Sequence, residues 1–179
     1  MKELLESLIE RYTLTGITQQ RPDLFFVTVP PENAVDCIRF LKERSGFTHL
    51  ALLTAVDRIE NNLFQLTYML SNPSSRTDLG VLVEIERATA TAESIHELWV
   101  QAATYQRELH EMFGISFPGS PGLTDSFLLE GWDQIPPMRR DFDTRAYAEK
   151  TFAFQEGRAS VDPREYRKLK LSSGSDPHV

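Results

Sequence analysis

The sequence predicts an α/β chain of the α+β type: a mixed or antiparallel sheet with helices packed on one face, then an extended C-terminal arm. Three observations carry this. Four runs of strand length (24–29, 48–56, 63–70 and 79–86) are rich in β-branched, aromatic and leucine residues. Three other stretches repeat apolar residues in steps of three and four. From residue 118 onward Pro and Gly recur and neither period persists.

Leu4, Leu5, Leu8, Ile9 and Tyr12 lie at helical spacing with Glu3, Glu6, Glu10 and Arg11 opposite, which predicts a helix over 2–13. Gly16 and the Arg21-Pro22-Asp23 turn follow it. LFFVTV (24–29) is the first strand. Pro30-Pro31 opens a second helix whose apolar face is Ala34, Ile38 and Leu41, and Ser45-Gly46 closes it. THLALLTAV (48–56) is a buried strand ending at Asp57. Phe64, Leu66, Tyr68 and Leu70 then alternate with Gln65, Thr67 and Met69, a half-buried strand. Leu79, Val81, Val83 and Ile85 make another, so 57–86 reads as a hairpin or meander. Ile95, Leu98, Ala102, Tyr105, Leu109 and Met112 predict a long helix over about 93–113, ended by Gly114.

The division that follows is an α/β domain over 1–117, an extended docking loop and arm over 118–171, and a disordered tail over 172–179. The arm over 136–171 is basic, with few apolar anchors. It buries too little surface alone to offset a backbone ordering entropy of ~1–2 kcal/mol per residue, so it is expected to lie on a partner.

Charge and composition exclude several functions. The formal net charge is -7, which argues against general nucleic-acid binding. It is unevenly placed: residues 1–137 hold 10 Lys and Arg against 19 Asp and Glu, while 138–179 hold 9 against 7. The one cysteine, Cys37, rules out an internal disulfide and an iron–sulfur cluster held by this chain alone. It is read as a buried structural thiol, with no basic group placed to activate it. No run approaches the ~20 apolar residues of a membrane span. The acidic start, MKELLESLIERY, resembles neither a signal nor a transit peptide.

HELWV (96–100) and HEMFG (110–114) each begin like a zinc-protease motif, but the second His at i+4 is Val100 in one and Gly114 in the other. His96 and His110 are therefore read as surface or packing residues. GISFPGSP (114–121) lacks the Lys-Ser/Thr of a phosphate loop. Arg107, Glu108 and Glu111 crowd the last turns of the long helix, where Arg107 and Glu111 are spaced to pair at about 0.2–0.5 kcal/mol. From spacing alone a solvated face and a docking surface both remain open. Nearby aromatics and Arg139-Arg140-Asp141 add the enrichment seen in protein interfaces.

At these residues the sequence resembles a known family, the 30 kDa subunit of respiratory complex I, with counterparts in energy-converting membrane-bound nickel–iron hydrogenases. The resemblance rests on Gln106-Arg107-Glu108, Glu111, Phe113-Gly114-Ile115, Phe117, Gly119 and Pro121, then Pro137-Met138-Arg139-Arg140-Asp141-Phe142, and upstream on LLTAVDRIENNLFQLTYML (52–70). Gln106 stands where the family's run begins with Glu, and Ser120 where it has His. The resemblance implies a peripheral-arm subunit with no cofactor of its own. Iron–sulfur clusters, flavin or nickel–iron would lie on other subunits. It further implies docking on the large catalytic subunit and the small iron–sulfur subunit, at the cytoplasmic side of the membrane. The parent complex would pass electrons from NADH or ferredoxin to quinone with ion translocation, or be the equivalent hydrogenase. Arg107, Glu108, Glu111, Phe113, Gly114, Arg139, Arg140 and Asp141 would form the interface. A stand-alone metal-dependent hydrolase built on His96, His110 and nearby glutamates is the rival from another class.

Overall fold

A computed structural model describes residues 2–152. The chain divides into a first unit, 1–142, and a second beginning at Asp143. Expectations for 153–171 and for the tail 172–179 lie outside the described residues.

The first unit opens with α1 (Lys2–Arg11), whose Leu8 is fully buried, and Tyr12 just beyond it is buried too. Two strands follow, β1 (Gly16–Arg21) and β2 (Leu24–Thr28), paired antiparallel around the Pro22-Asp23 turn. Pro31 occupies the first position of α2 (Pro31–Arg44), where a missing N–H costs no helical bond. Then come β3 (His49–Arg58), a 3₁₀ turn over Ile59–Asn61, β4 (Leu63–Asn72) and β5 (Thr77–Glu86). These three strands form the expected antiparallel meander. β2 returns beside β5 in parallel, so the sheet is mixed, in the order β1-β2-β5-β4-β3.

One face of this sheet carries the core. Phe64, Leu66, Tyr68 and Leu70 of β4 and Leu79, Val81, Val83 and Ile85 of β5 are all buried. Ala34, Val35, Ile38 and Leu41 of α2 add to the same core, and α3 (Ala102–Phe113) packs beside β3. The opposite face is half-open, with Leu52 43% and Val56 50% exposed. On it the Phe26 ring lies over Gly80, where a Cβ would stand 2.4 Å from the ring.

Two features differ from the periodicity. β1, GITQQR, carries no strand pattern of its own, because five of its six residues face solvent. Its backbone pairing with β2 decides its structure. The long helix begins at Ala102 rather than near 93, and residues 96–98 form turns. The cause lies in the edge strand β3, whose outward carbonyls need partners. Trp99 Nε1 donates to Thr48 O at 2.9 Å and Gln101 Nε2 to Leu50 O at 2.6 Å. Tyr105 Oη reaches Ala51 O, and Lys42 Nζ takes the Leu98 carbonyl. Holding these side chains against the edge breaks the helical path before 102.

Residues 118–142 belong to the first unit and run as turns and bends. In the second unit one helix forms among the described residues, α4 (Thr144–Thr151), within the segment expected to be extended. Asp143 caps it by accepting from the Arg145 and Ala146 N–H groups, both at 3.0 Å, and Arg145 pairs with Glu149 along the helix.

Candidate functional site

Gly114 closes α3 in the left-handed region, φ 76°, donating its N–H to the His110 carbonyl at 2.9 Å. The chain then turns back under the helix, placing Ile115 and Phe117 fully inside the core and bridging Ser116 to Thr91. This positions the family-like residues of α3 beside the loop that follows.

Glu111 is the organising group of that loop. Its carboxylate accepts the backbone N–H groups of Phe127, Leu128 and Leu129 at 3.0, 2.7 and 3.0 Å. Desolvation pushes this carboxyl up, but the three N–H donors and the Arg107 charge together hold it below the usual range. The expected direct Arg107–Glu111 ion pair does not form, because the backbone donors have taken the carboxylate. Arg107 instead stacks its guanidinium 5.7 Å from the Phe127 ring centroid, and its Nε is buried with no hydrogen-bond partner. Glu108 is half-buried on the same helix and makes no ion pair with the described residues.

A second cluster ties residues 138–142 to the sheet. Asp57, at the end of β3 with its side chain 1% exposed, accepts from Arg87 Nε and Nη2 at 2.9 and 3.2 Å and from the Arg140 backbone N–H at 2.9 Å. Arg87 also pairs with Asp141 at 2.7 Å. Met138 N–H donates to the Met112 carbonyl at 3.0 Å, and the Arg140 guanidinium pairs with Glu60. Arg139 Nε lies 3.4 Å from Asp141 without hydrogen-bond geometry. Phe64, fully buried, receives Phe113 edge-on at 6.0 Å and the Arg87 and Arg139 guanidinium groups at 5.7 and 5.6 Å. Desolvation raises the Asp57 carboxyl, yet Arg87 and the Arg140 N–H outweigh it and hold it low. Asp141 is held low chiefly by its Arg87 bond.

The structure therefore brings the eight predicted residues into two neighbouring segments and gives most of them partners within the chain. Sequence reasoning missed Asp57, Arg87 and Glu60 as those partners. A signal for Asp57 was present: it shares the inward parity of Leu53 and Ala55, so its charge had to be met inside.

Neither histidine gathers ligands. His96 Nδ1 lies 2.9 Å from Ser94 Oγ, which donates to Gln106 Oε1 at 2.8 Å, and His110 Nδ1 contacts the Ile115 carbonyl at 3.0 Å. Among the described residues no group of three His, Cys, Asp or Glu side chains could hold a metal ion, so the hydrolase reading lacks its ligand set. Gln106 is completely buried with Nε2 unpaired, and Ser120 Oγ is likewise buried without a partner. The Cys37 thiol is fully buried and pushed up to about 12, first by desolvation and then by Asp36.

The profile of the family described as the respiratory-chain NADH dehydrogenase 30 kDa subunit matches residues 27–148, a span that takes in both clusters. The chain belongs to this family. Among its relatives, the C subunit of the NADH-quinone oxidoreductase of Rhodobacter capsulatus is 34% identical over 160 residues, covering 82% of this chain and 76% of that protein. The C/D 2 subunit of the NADH-quinone oxidoreductase of Aquifex aeolicus is 34% identical over 113 residues, and the match covers 63% of this chain but only 19% of that longer protein. Among solved structures, a chain of the membrane-bound sulfane sulfur reductase, an archaeal respiratory membrane complex, superposes with a TM-score of 0.80 at 25% identity. The superposition covers 90% of this chain and 96% of that one. Among the described residues no helix is long and apolar enough to cross a membrane.

Proposed function

We propose that this chain is a peripheral-arm subunit of a complex I-like electron-transfer complex, docking on the large catalytic subunit at the cytoplasmic side of the membrane. Electrons would pass from NADH or ferredoxin to quinone on other subunits, coupled to ion translocation. The small iron–sulfur subunit is the second proposed neighbour. The observation that carries this reading is the family match across 27–148, which spans both side-chain clusters.

The C/D relative supports a D-type neighbour, since covalent joining of two parts raises their effective concentration for each other. The geometry supports a division of labour. Glu111, Phe113, Gly114 and Asp141 are used inside the chain, whereas the terminal guanidinium nitrogens of Arg107 have no hydrogen-bond partner among the described residues and, unlike its Nε, are not sealed. A carboxylate or carbonyl from a partner could take these terminal donors, a charge-assisted bond of about 1.5–3 kcal/mol. Arginine suits that role through its planar, bidentate fork. In this reading the chain holds no redox centre itself.

Pull-down of the tagged full chain from its native host tests the proposal. The large subunit should co-purify with the wild type, carry NADH- or ferredoxin-linked quinone reduction, and be lost with Arg107→Glu. A folded chain that brings down no large subunit would overturn it. A second reading is favoured by the likeness to the sulfane sulfur reductase chain: the equivalent subunit of a membrane complex with other terminal chemistry, nickel–iron hydrogenase included. Stoichiometric nickel on the co-purifying large subunit would select the hydrogenase.

A further inference from the structure

A half-enclosed cavity of about 340 Å³ lies between the first turns of α2 and the core face of the sheet. Ala34 and Val35 of α2, Val83 and Ile85 of β5, and Ala92 and Pro118 make its walls apolar. Tyr68 of β4 also lines it. The residue is 1% exposed, and its hydroxyl makes no hydrogen bond with any described residue. Two other tyrosines behave differently: Tyr12 Oη is bonded to Asp36 at 2.9 Å, and Tyr105 Oη to Ala51 O. The Tyr68 hydroxyl is not among the sealed polar atoms of the chain, so it is open to the cavity that the residue lines and is placed to donate to whatever fills it.

The surroundings define what would meet it. Burial, and then the Glu93 charge, raise the phenol far above its ordinary value, so it stays protonated and offers a donor. Glu32 and Glu93 stand at the rim, both exposed, and repel anions. The volume falls at the lower end of small-molecule pockets, roughly 300–1,000 Å³.

We propose that this cavity binds a neutral or cationic amphipathic small molecule, its apolar body about one ring in size against the walls and its oxygen or nitrogen acceptor on the Tyr68 hydroxyl. Nothing in the proposal depends on which complex the chain joins.

The test uses the full chain and three probes of similar size, followed by NMR shifts of the cavity-lining residues. Acetophenone presents a carbonyl acceptor, ethylbenzene the same shape without one, and benzoate a negative charge. Acetophenone should saturate shifts at Val35, Val83 and Ile85 and bind roughly three- to tenfold more tightly than ethylbenzene, the range expected of one neutral hydrogen bond. Tyr68→Phe should remove that difference. It should leave the fold intact, because the hydroxyl it deletes has no partner among the described residues. Benzoate should bind weakest, and Glu93→Gln should narrow its deficit. No saturable shift with any probe, or equal preference for acetophenone in wild type and Tyr68→Phe, would overturn the proposal.

Discussion

Asp57 and Arg87 hold each other through two hydrogen bonds, at 2.9 and 3.2 Å, across 30 residues of sequence. The carboxylate also takes the Arg140 N–H and the guanidinium also takes Asp141. One buried pair thus joins the ends of β3 and β5 to the segment after Pro137. Removing Asp57 leaves Arg87, 11% exposed, with Asp141 alone and leaves the Arg140 N–H without its acceptor. Asp57→Ala is therefore expected to destabilise the first unit by about 1–3 kcal/mol, and Asp141→Ala, whose side chain is 36% exposed, by much less. Urea unfolding of the two variants checks the ranking, and equal losses would contradict it.

The same carboxylates set the response to acid. Asp57, Glu111 and Asp141 all have folded values below their ordinary range. A depressed carboxyl contributes stability that is present above the unfolded value, about 4, and is lost as pH falls through the folded value. Stability should hold steady near neutrality and fall progressively below about pH 4. In Asp57→Asn that acid slope should be shallower. Denaturant midpoints from pH 7 to pH 3 measure it.

Glu111 predicts a local effect. Its three backbone donors lie 16 to 18 residues away, and no other side chain among the described residues accepts from them. Glu111→Ala should cost about 1–3 kcal/mol and raise hydrogen exchange at Phe127, Leu128 and Leu129. Exchange at Leu66 and Val81, in the sheet centre, should change only through global stability. Unaltered protection at 127–129 would show that the loop holds itself.

Gly80 predicts a steric one. A methyl group there would meet the Phe26 ring at 2.4 Å, inside contact distance. Gly80→Ala should force the ring off the open face and cost about 1–3 kcal/mol. The double variant with Phe26→Ala should lose less than the sum of the two single changes, because the clash disappears with the ring.

Elements whose signal is local were legible in the chain alone. Period-two runs marked β4 and β5, apolar and β-branched runs of strand length marked β2 and β3, helical periods marked α1 and α2, and Gly114 ended α3 where a left-handed residue was required. The family resemblance was also legible, because its residues stand in fixed order along the chain. Packing and long-range pairing settled the remainder. β1 became a strand through backbone pairing, which leaves no side-chain pattern when the strand is polar. The start of α3 was set by carbonyls of the edge strand about 51 residues earlier. Arg87 carried no local sign of its role, since the worth of a charge depends on burial and on partners brought from distant positions. Tyr68 read as a core residue of β4. Only the arrangement of α2, Ala92 and Pro118 around it leaves its hydroxyl facing space instead of a partner.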